Sequence, residues 1–276
     1  MGNRLLYAGG IIIIGLLAVF AVNCGGDKSA NSSGTIQTGN TGELLLIDHT
    51  SADEFSQIPD SVIRDCKIVF DVFHGRTAYG GQITSGMNML FQEDTLYQYR
   101  FNGLYYVEFQ DDLGTLGDTS WTFMTRMGLD NPLNTINVIL WSWGDGLASN
   151  TEQGVDQYLQ TLSGLELEYP QVKFVYMTGQ VDGTGDAGNT RARNDQIRTY
   201  CTENAKILFD VADIESYNPD GDYFADASSA CEWCVDWCST HECPECLLCY
   251  ESECLNCYRQ GQAFWWMLAR FAGWNP

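Results

Sequence analysis

From Leu44 onward the chain alternates between short apolar runs and stretches with helical spacing of apolar positions. Cys66-Lys-Ile-Val-Phe-Asp-Val-Phe73 is mostly apolar and β-branched, the pattern of a strand covered on both faces. A glycine-rich turn from His74 to Gln82 leads into a helix predicted over 83–91. Leu104-Tyr-Tyr-Val-Glu-Phe109 alternates like a strand, and Asn137-Val-Ile-Leu-Trp-Ser-Trp143 is a buried strand that breaks at Gly144-Asp145-Gly146. Helical spacing returns over 152–167 and closes at Pro170. Val172-Lys-Phe-Val-Tyr-Met177 is the next strand, and a polar loop, Thr178 to Thr190, opens into a helix over 191–204. Lys206-Ile-Leu-Phe-Asp-Val-Ala212 is the last clear strand, and 260–272 forms a helix with a heavily apolar face.

Strands that alternate with helices predict an α/β domain, a parallel sheet with helices on both faces and right-handed crossovers. Ligands of such sheets bind beyond the carboxyl ends of the strands. That edge should hold the loops His74–Gln82, Gly144–Gly146 and Thr178–Thr190, rich in Gly, Asp, Asn and Gln. These loops nominate Arg76, Gly80, Gly81, Gln82, Gly144 and Asp182 as ligand-binding positions. The plainer alternative for Asp145, Asp182 and Asp186 is an Asx-turn role in glycine-rich loops.

The N-terminus reads as an export signal. Arg4 is the only early charge, and an apolar run from Leu5 to Val22 ends at Asn23-Cys24. This start resembles that of bacterial lipoproteins, and the resemblance implies acylation of Cys24 and a membrane tether. Ala21 and Asn23 depart from the residues those signals favour. Ordinary cleavage and a retained helix stay open, because the run approaches the ~18–20 residues that span a bilayer. All three place the domain outside the cytoplasm. Residues 1–23 are therefore read as the signal, 24–43 as a flexible Gly/Ser/Asn/Thr-rich tether, and 44–276 as one domain.

The order of elements, the loop His74-Gly-Arg-Thr-Ala-Tyr-Gly-Gly-Gln82, the strand end Trp141-Ser-Trp-Gly-Asp145 and the final helix with Phe264-Trp-Trp-Met-Leu-Ala-Arg270 resemble the SGNH/GDSL hydrolases. That resemblance implies a flavodoxin-like sheet and esterase or deacetylase chemistry on extracellular esters or acylated carbohydrate. The family's serine would stand in the first loop, where this chain has Thr77 and Ala78. The Asn of its third block is absent at Gly144-Asp145-Gly146, and its late Asp-x-x-His is absent, since Cys238 stands three residues before His241. What the resemblance leaves as a catalytic set is Thr77 as nucleophile, His74 or His241 as base, and Asp145 in support. The alternative is a catalytically silent relative that binds a carbohydrate or protein ligand. Phe73-His-Gly-Arg-Thr-Ala-Tyr79 is also similar to the histidine phosphatase signature, with Phe73 in place of its Arg.

Eight cysteines crowd into 231–257, just before the last helix, and read as an insertion. Outside the cytoplasm such density predicts disulfides, in one of 105 possible pairings. The Cys-x-x-Cys spacing leaves zinc as the alternative cofactor, with Cys231, Cys234, Cys243, Cys246, Cys249, Cys254 and Cys257 as its ligands; otherwise no cofactor is expected. The insertion could also carry His241 over the pocket. The net charge of −22 argues against nucleic acid and anionic headgroups as partners, so the membrane is met only through the N-terminal anchor.

Overall fold

The computed structural model describes residues 42–276 except 78–79, 112 and 114–116. The signal, Cys24 and most of the tether lie outside the described residues. Six parallel strands form one sheet: β1 (Leu45–Ile47), β2 (Asp71–Arg76), β3 (Tyr105–Gln110), β4 (Val138–Trp141), β5 (Lys173–Met177) and β6 (Ile207–Phe209). Their spatial order is β1-β6-β5-β4-β2-β3. Counted from β2, this is the flavodoxin-like doubly wound order, extended at one edge by β1, and the winding reverses between β2 and β4.

Nine α-helices join them: α1 (His49–Asp53), α2 (Asp60–Val69), α3 (Gly81–Glu93), α4 (Trp121–Leu129), α5 (Glu152–Glu168), α6 (Asn189–Glu203), α7 (Val211–Ser216), α8 (Glu232–Cys238) and α9 (Cys254–Phe271), counted among the described residues. Two cores follow, one for each face of the sheet. On one, Ile83, Met87 and Leu90 of α3 and Phe264, Trp265 and Leu268 of α9 pack on Val72, Leu140 and Val175. On the other, Val155, Leu159 and Leu162 of α5 and Ile197 of α6 pack on Ile139, Trp141 and Phe174.

The expected strand at 66–73 is displaced. Cys66 is buried in α2, and only Asp71 onward is strand. Val62, Ile63, Cys66 and Val69 recur at helical spacing behind Pro59, and this outweighs the β-branched composition. Likewise His74, Gly75 and Arg76 belong to β2 and not to the loop after it. Gly75 is needed there for close approach, since a Cβ would fall 2.2 Å from the ring of Trp141 on β4. The last helix begins inside the cysteine cluster, at Cys254.

The eight clustered cysteines pair as Cys231–Cys234, Cys238–Cys243, Cys246–Cys254 and Cys249–Cys257. Every sulfur named above as an alternative zinc ligand is thus in a disulfide and presents no thiolate. The remaining described cysteines, Cys66 and Cys201, are free and buried. Among the described residues no helix is long and apolar enough to cross a membrane.

Helices α3 and α9 touch backbone to backbone. A Cβ on Gly86 would lie 1.9 Å from the carbonyl oxygen of Cys257, and one on Gly261 would lie 2.4 Å from the carbonyl carbon of Gly86. Gly261→Ala should therefore cost about 1–3 kcal/mol through overpacking, read as a lower denaturation midpoint at unchanged m-value. Gly164, with nothing within 4 Å of its Cβ position, is the control, and Gly164→Ala should not destabilise.

Candidate functional site

The winding reversal puts a crevice at the carboxyl ends of β2 and β4, and the first turn of α3 closes it. Side chains alternate along a strand, so His74 and Arg76 of β2 share the α3 face with Val72. Ser142, one residue past β4, shares that face with Leu140. The register His74↔Leu140 and Gly75↔Trp141 then brings together two residues 68 positions apart, and the Ser142 Oγ lies 2.7 Å from His74 Nε2. The other ring nitrogen, Nδ1, lies 2.5 Å from the Tyr106 hydroxyl of β3. His74 is wholly buried, which pushes its pKa down to about 3, with Glu108 pulling up and Arg76 pulling down. The ring is neutral throughout the physiological range.

Around this pair, Thr84 of α3 donates to Glu108 at 2.7 Å, and Arg76 and Arg100 both pair with the Glu108 carboxylate. A Cβ on Gly80 would lie 2.9 Å from the Ser142 Oγ, so α3 begins directly against that hydroxyl. Beside it is a cavity of about 10 Å³ lined by Gly80, Ile83, Trp143, Thr178, Gln180 and Gln260 as well as Ser142. That is room for about one water.

The sequence-predicted residues scatter around this centre. Thr77 lies beside Gly144, with its hydroxyl 2.7 Å from where a Cβ on Gly144 would be, and that buried hydroxyl has no hydrogen-bond partner. No described histidine side chain hydrogen-bonds Thr77: His74 is engaged by Tyr106 and Ser142. His241 stacks on Trp237 at 3.8 Å on the exposed end of α8. Of Asp145 only the backbone is described, at the start of a 3-10 turn. Arg76 is buried and paired with Glu108. Gly81 packs under the Tyr250 ring, which also lies 5.4 Å below the Arg76 guanidinium, so the insertion reaches the crevice through Tyr250 rather than His241. Asp182 accepts from Thr184 and Thr190, the Asx-turn role.

Gln82 is buried and accepts from Gln260, while its own amide nitrogen has no partner. Gln260 also reaches Glu215 at 3.3 Å, and Glu215 accepts the Val181 N–H at 2.9 Å. Complete burial pushes the Glu215 carboxyl up to about 8 against those hydrogen bonds. Sequence reasoning missed Ser142, Tyr106, Glu108 and Glu215. The one available signal was a lone hydroxyl, Ser142, between two tryptophans at the end of a buried strand.

A second concavity of about 430 Å³ lies at the β1 edge, lined by Arg191, Arg198, Asp210, Asp213, Tyr217 and Tyr223 among others. Its charges are internally matched: Arg198 with Asp210, Arg191 with Asp186. Asp48, His49 and Asp213 bring ligand-capable atoms within 4.8 Å of one another, with His49 already 2.5 Å from Asp213.

No family model matches the chain, and no curated protein does. Among solved structures it is similar to the acetyl xylan esterase AlAXEase, at 15% identity and TM-score 0.36, over 52% of this chain and 78% of that one. It is also similar to a G-D-S-L family protein described as lipolytic from Desulfitobacterium hafniense DCB-2 (12%, TM-score 0.41, 73% and 98% covered). A GDSL-like lipase structure from Parabacteroides merdae ATCC 43184 is similar at 12% and TM-score 0.40, over 73% and 95%. All three scores lie below 0.5.

The raised Glu215 carboxyl has a signed consequence. Its folded pKa, about 8, exceeds the ordinary 4.5 of an unfolded chain, so its stabilising contribution is complete below 4.5 and is lost as pH rises through 8. Between pH 6.5 and 8 wild type should lose stability relative to Glu215→Gln at about 1.4 kcal/mol per pH unit at most. Chemical denaturation of both proteins at several pH values measures the difference.

Proposed function

We propose that the domain is an exported ester hydrolase that performs acyl transfer in the β2/β4 crevice, with Ser142 as nucleophile and His74 as its base. The observation that carries this is the 2.7 Å contact between the Ser142 hydroxyl and a neutral, buried imidazole at the topological switch point. The first turn of α3, a 13-residue helix, adjoins that hydroxyl, and the unpaired backbone N–H groups of a helix start suit a developing oxyanion. The SGNH-like motif order and the flavodoxin-like strand order support ester chemistry on extracellular substrates, acylated carbohydrate among them. Four disulfides accord with an oxidising exterior. Export and tethering at Cys24 rest on the N-terminal sequence alone.

A second reading, a silent binding protein, is favoured by one feature: the cavity at Ser142 holds about one water, with Tyr250 packed over Gly81 above it.

A fluorophosphonate probe separates the two readings, since it marks a nucleophilic hydroxyl whatever the natural ester. Peptide mass spectrometry should place the adduct on Ser142. Acetylated aryl esters should turn over, with Ser142→Ala lowering the rate by roughly 10³-fold or more and Thr77→Val leaving it largely intact. No adduct and no Ser142-dependent turnover would leave the binding reading. Because the base form of His74 persists above about pH 3, the rate should show no acid limb near the usual histidine range, and a limb between pH 6 and 7 would remove His74 as the base.

A further inference from the structure

Five polar side chains, Thr84 of α3 and four from the sheet and strand end below it, form one line of contacts, and counting their hydrogens fixes the direction of each bond. At one end stands Glu108. Burial works to raise its pKa, but hydrogen bonds from Arg76 and Thr84 and the charge of Arg76 outweigh it and hold the carboxyl below its ordinary value. An ionised carboxylate only accepts, so the Thr84 hydroxyl, 2.7 Å away, must donate its single hydrogen to Glu108. Toward Tyr106, at 3.3 Å, Thr84 can then only accept. If Tyr106 donates there, its oxygen is left to accept from His74 Nδ1–H across 2.5 Å. A neutral imidazole carries one hydrogen, so Nε2 is bare and receives the hydrogen of Ser142 across 2.7 Å.

The reverse arrangement fails the count. With Tyr106 donating to Nδ1, the ring presents Nε2–H to Ser142, and Ser142 turns its hydrogen to the Met177 sulfur at 3.5 Å, a weak acceptor. The Thr84–Tyr106 contact is then two oxygens with no hydrogen between them. One arrangement alone puts one hydrogen into each of the four contacts.

We propose that Glu108, acting through Thr84 and Tyr106, holds His74 in the Nδ1–H tautomer, whose bare Nε2 is the base for Ser142. This rests on the reading of the crevice as a hydrolase site and assigns Glu108, Thr84 and Tyr106 as its positioning residues. In the acyl transfer, Ser142 Oγ bonds to the ester carbonyl carbon while its proton passes to Nε2. The bond from that carbon to the leaving alkoxide then breaks, and the alkoxide takes the proton from Nε2. Water repeats the sequence with Oγ as the leaving group, and the enzyme is restored. During each step the imidazolium faces a hydrogen-bonded path to a carboxylate, which offsets the cost of charging a buried ring. Glu108 keeps its own charge throughout, held by Arg76 and Arg100.

The test reads the tautomer and not the activity. The chain has three histidines, so long-range proton–nitrogen NMR of the uniformly labelled protein at pH 7 resolves each ring. Wild type should show the His74 proton on Nδ1 with Nε2 bare. Thr84→Val, which removes the hydroxyl that accepts the Tyr106 hydrogen, should shift the ring to the Nε2–H tautomer and cut fluorophosphonate labelling of Ser142 at least tenfold, while Thr84→Ser should retain both. A wild-type ring protonated on Nε2 overturns the proposal even if the variants do not fold. So does a Thr84→Val ring unchanged from wild type. A wild-type Nδ1–H ring that responds to Thr84→Val, in a protein with no Ser142 labelling, would uphold the positioning chain and sink the hydrolase reading, so the two fail separately.

Discussion

The closeness of α3 to everything around it is the constraint from which the rest of the crevice follows. Gly86 and Gly261 let α3 lie backbone to backbone on α9, Gly80 sets its first turn on Ser142, and Gly81 admits the Tyr250 ring. Between α3 and the carboxyl ends of β2 and β4 the cavity beside Ser142 leaves room for about one water. Each polar side chain on the sheet below must find its partner within the protein, because an unpaired buried donor or acceptor costs about 1–3 kcal/mol. His74, Tyr106, Thr84, Glu108 and Ser142 meet that demand as a single connected chain. The same exclusion of water lowers the His74 pKa and raises that of Glu215 on the other side of Gln82 and Gln260.

The cysteine-rich segment is tied to this arrangement. Two of its disulfides, Cys246–Cys254 and Cys249–Cys257, end on the first turn of α9, and the carbonyl of Cys257 is the atom against which Gly86 packs. Between these cysteines Tyr250 and Glu251 both adopt positive φ, a bend that aims the Tyr250 ring at Gly81 and Arg76. At its other end Trp233 donates to the Glu215 carbonyl. Its own buried cluster is small, Cys231, Trp233 and Cys234 with Ala227 and Leu255. Disulfides to α9 and buried anchoring side chains such as Trp233 together give it a fixed position over the crevice.

Much of the architecture was legible from the chain because buried parallel strands are near-continuous apolar runs, and β3, β5 and the helices α3, α5 and α6 fall close to where the pattern puts them. The errors have physical causes. Cys66–Val69 combines β-branched composition with helical spacing, and the spacing won. The Cys254–Cys257 start of α9 was hidden by cysteines that suggested a separate insertion. The site was less legible. His74 was singled out as a loop residue at a strand end, whereas one further turn of the β2–β4 ladder places it in the sheet, sealed from solvent. Ser142 drew no attention because its partner is 68 positions away, and only strand register joins them. Local motifs carry no information on register between strands that are separated by a crossover.

Access to Ser142 is bounded by the same packing. The cavity beside it has room for a water, not an acyl group. The floor of the cavity is the sheet, whose ladders run unbroken on both sides of β4. Its far wall, Val211 and Gln260, belongs to α7 and α9, and α9 is fixed by the glycine contact with α3. Helix α3 cannot tilt as a body without opening that contact, and its first turn, at Gly80 and Gly81, and the Tyr250 ring above lie outside it. Gly80 is also the position at which the helix start lies against the Ser142 hydroxyl. Under the hydrolase reading proposed above, an ester would reach Ser142 past Gly80, Gly81 and the disulfide-held Tyr250 ring, above the hydrogen-bonded chain that runs from His74 to Glu108.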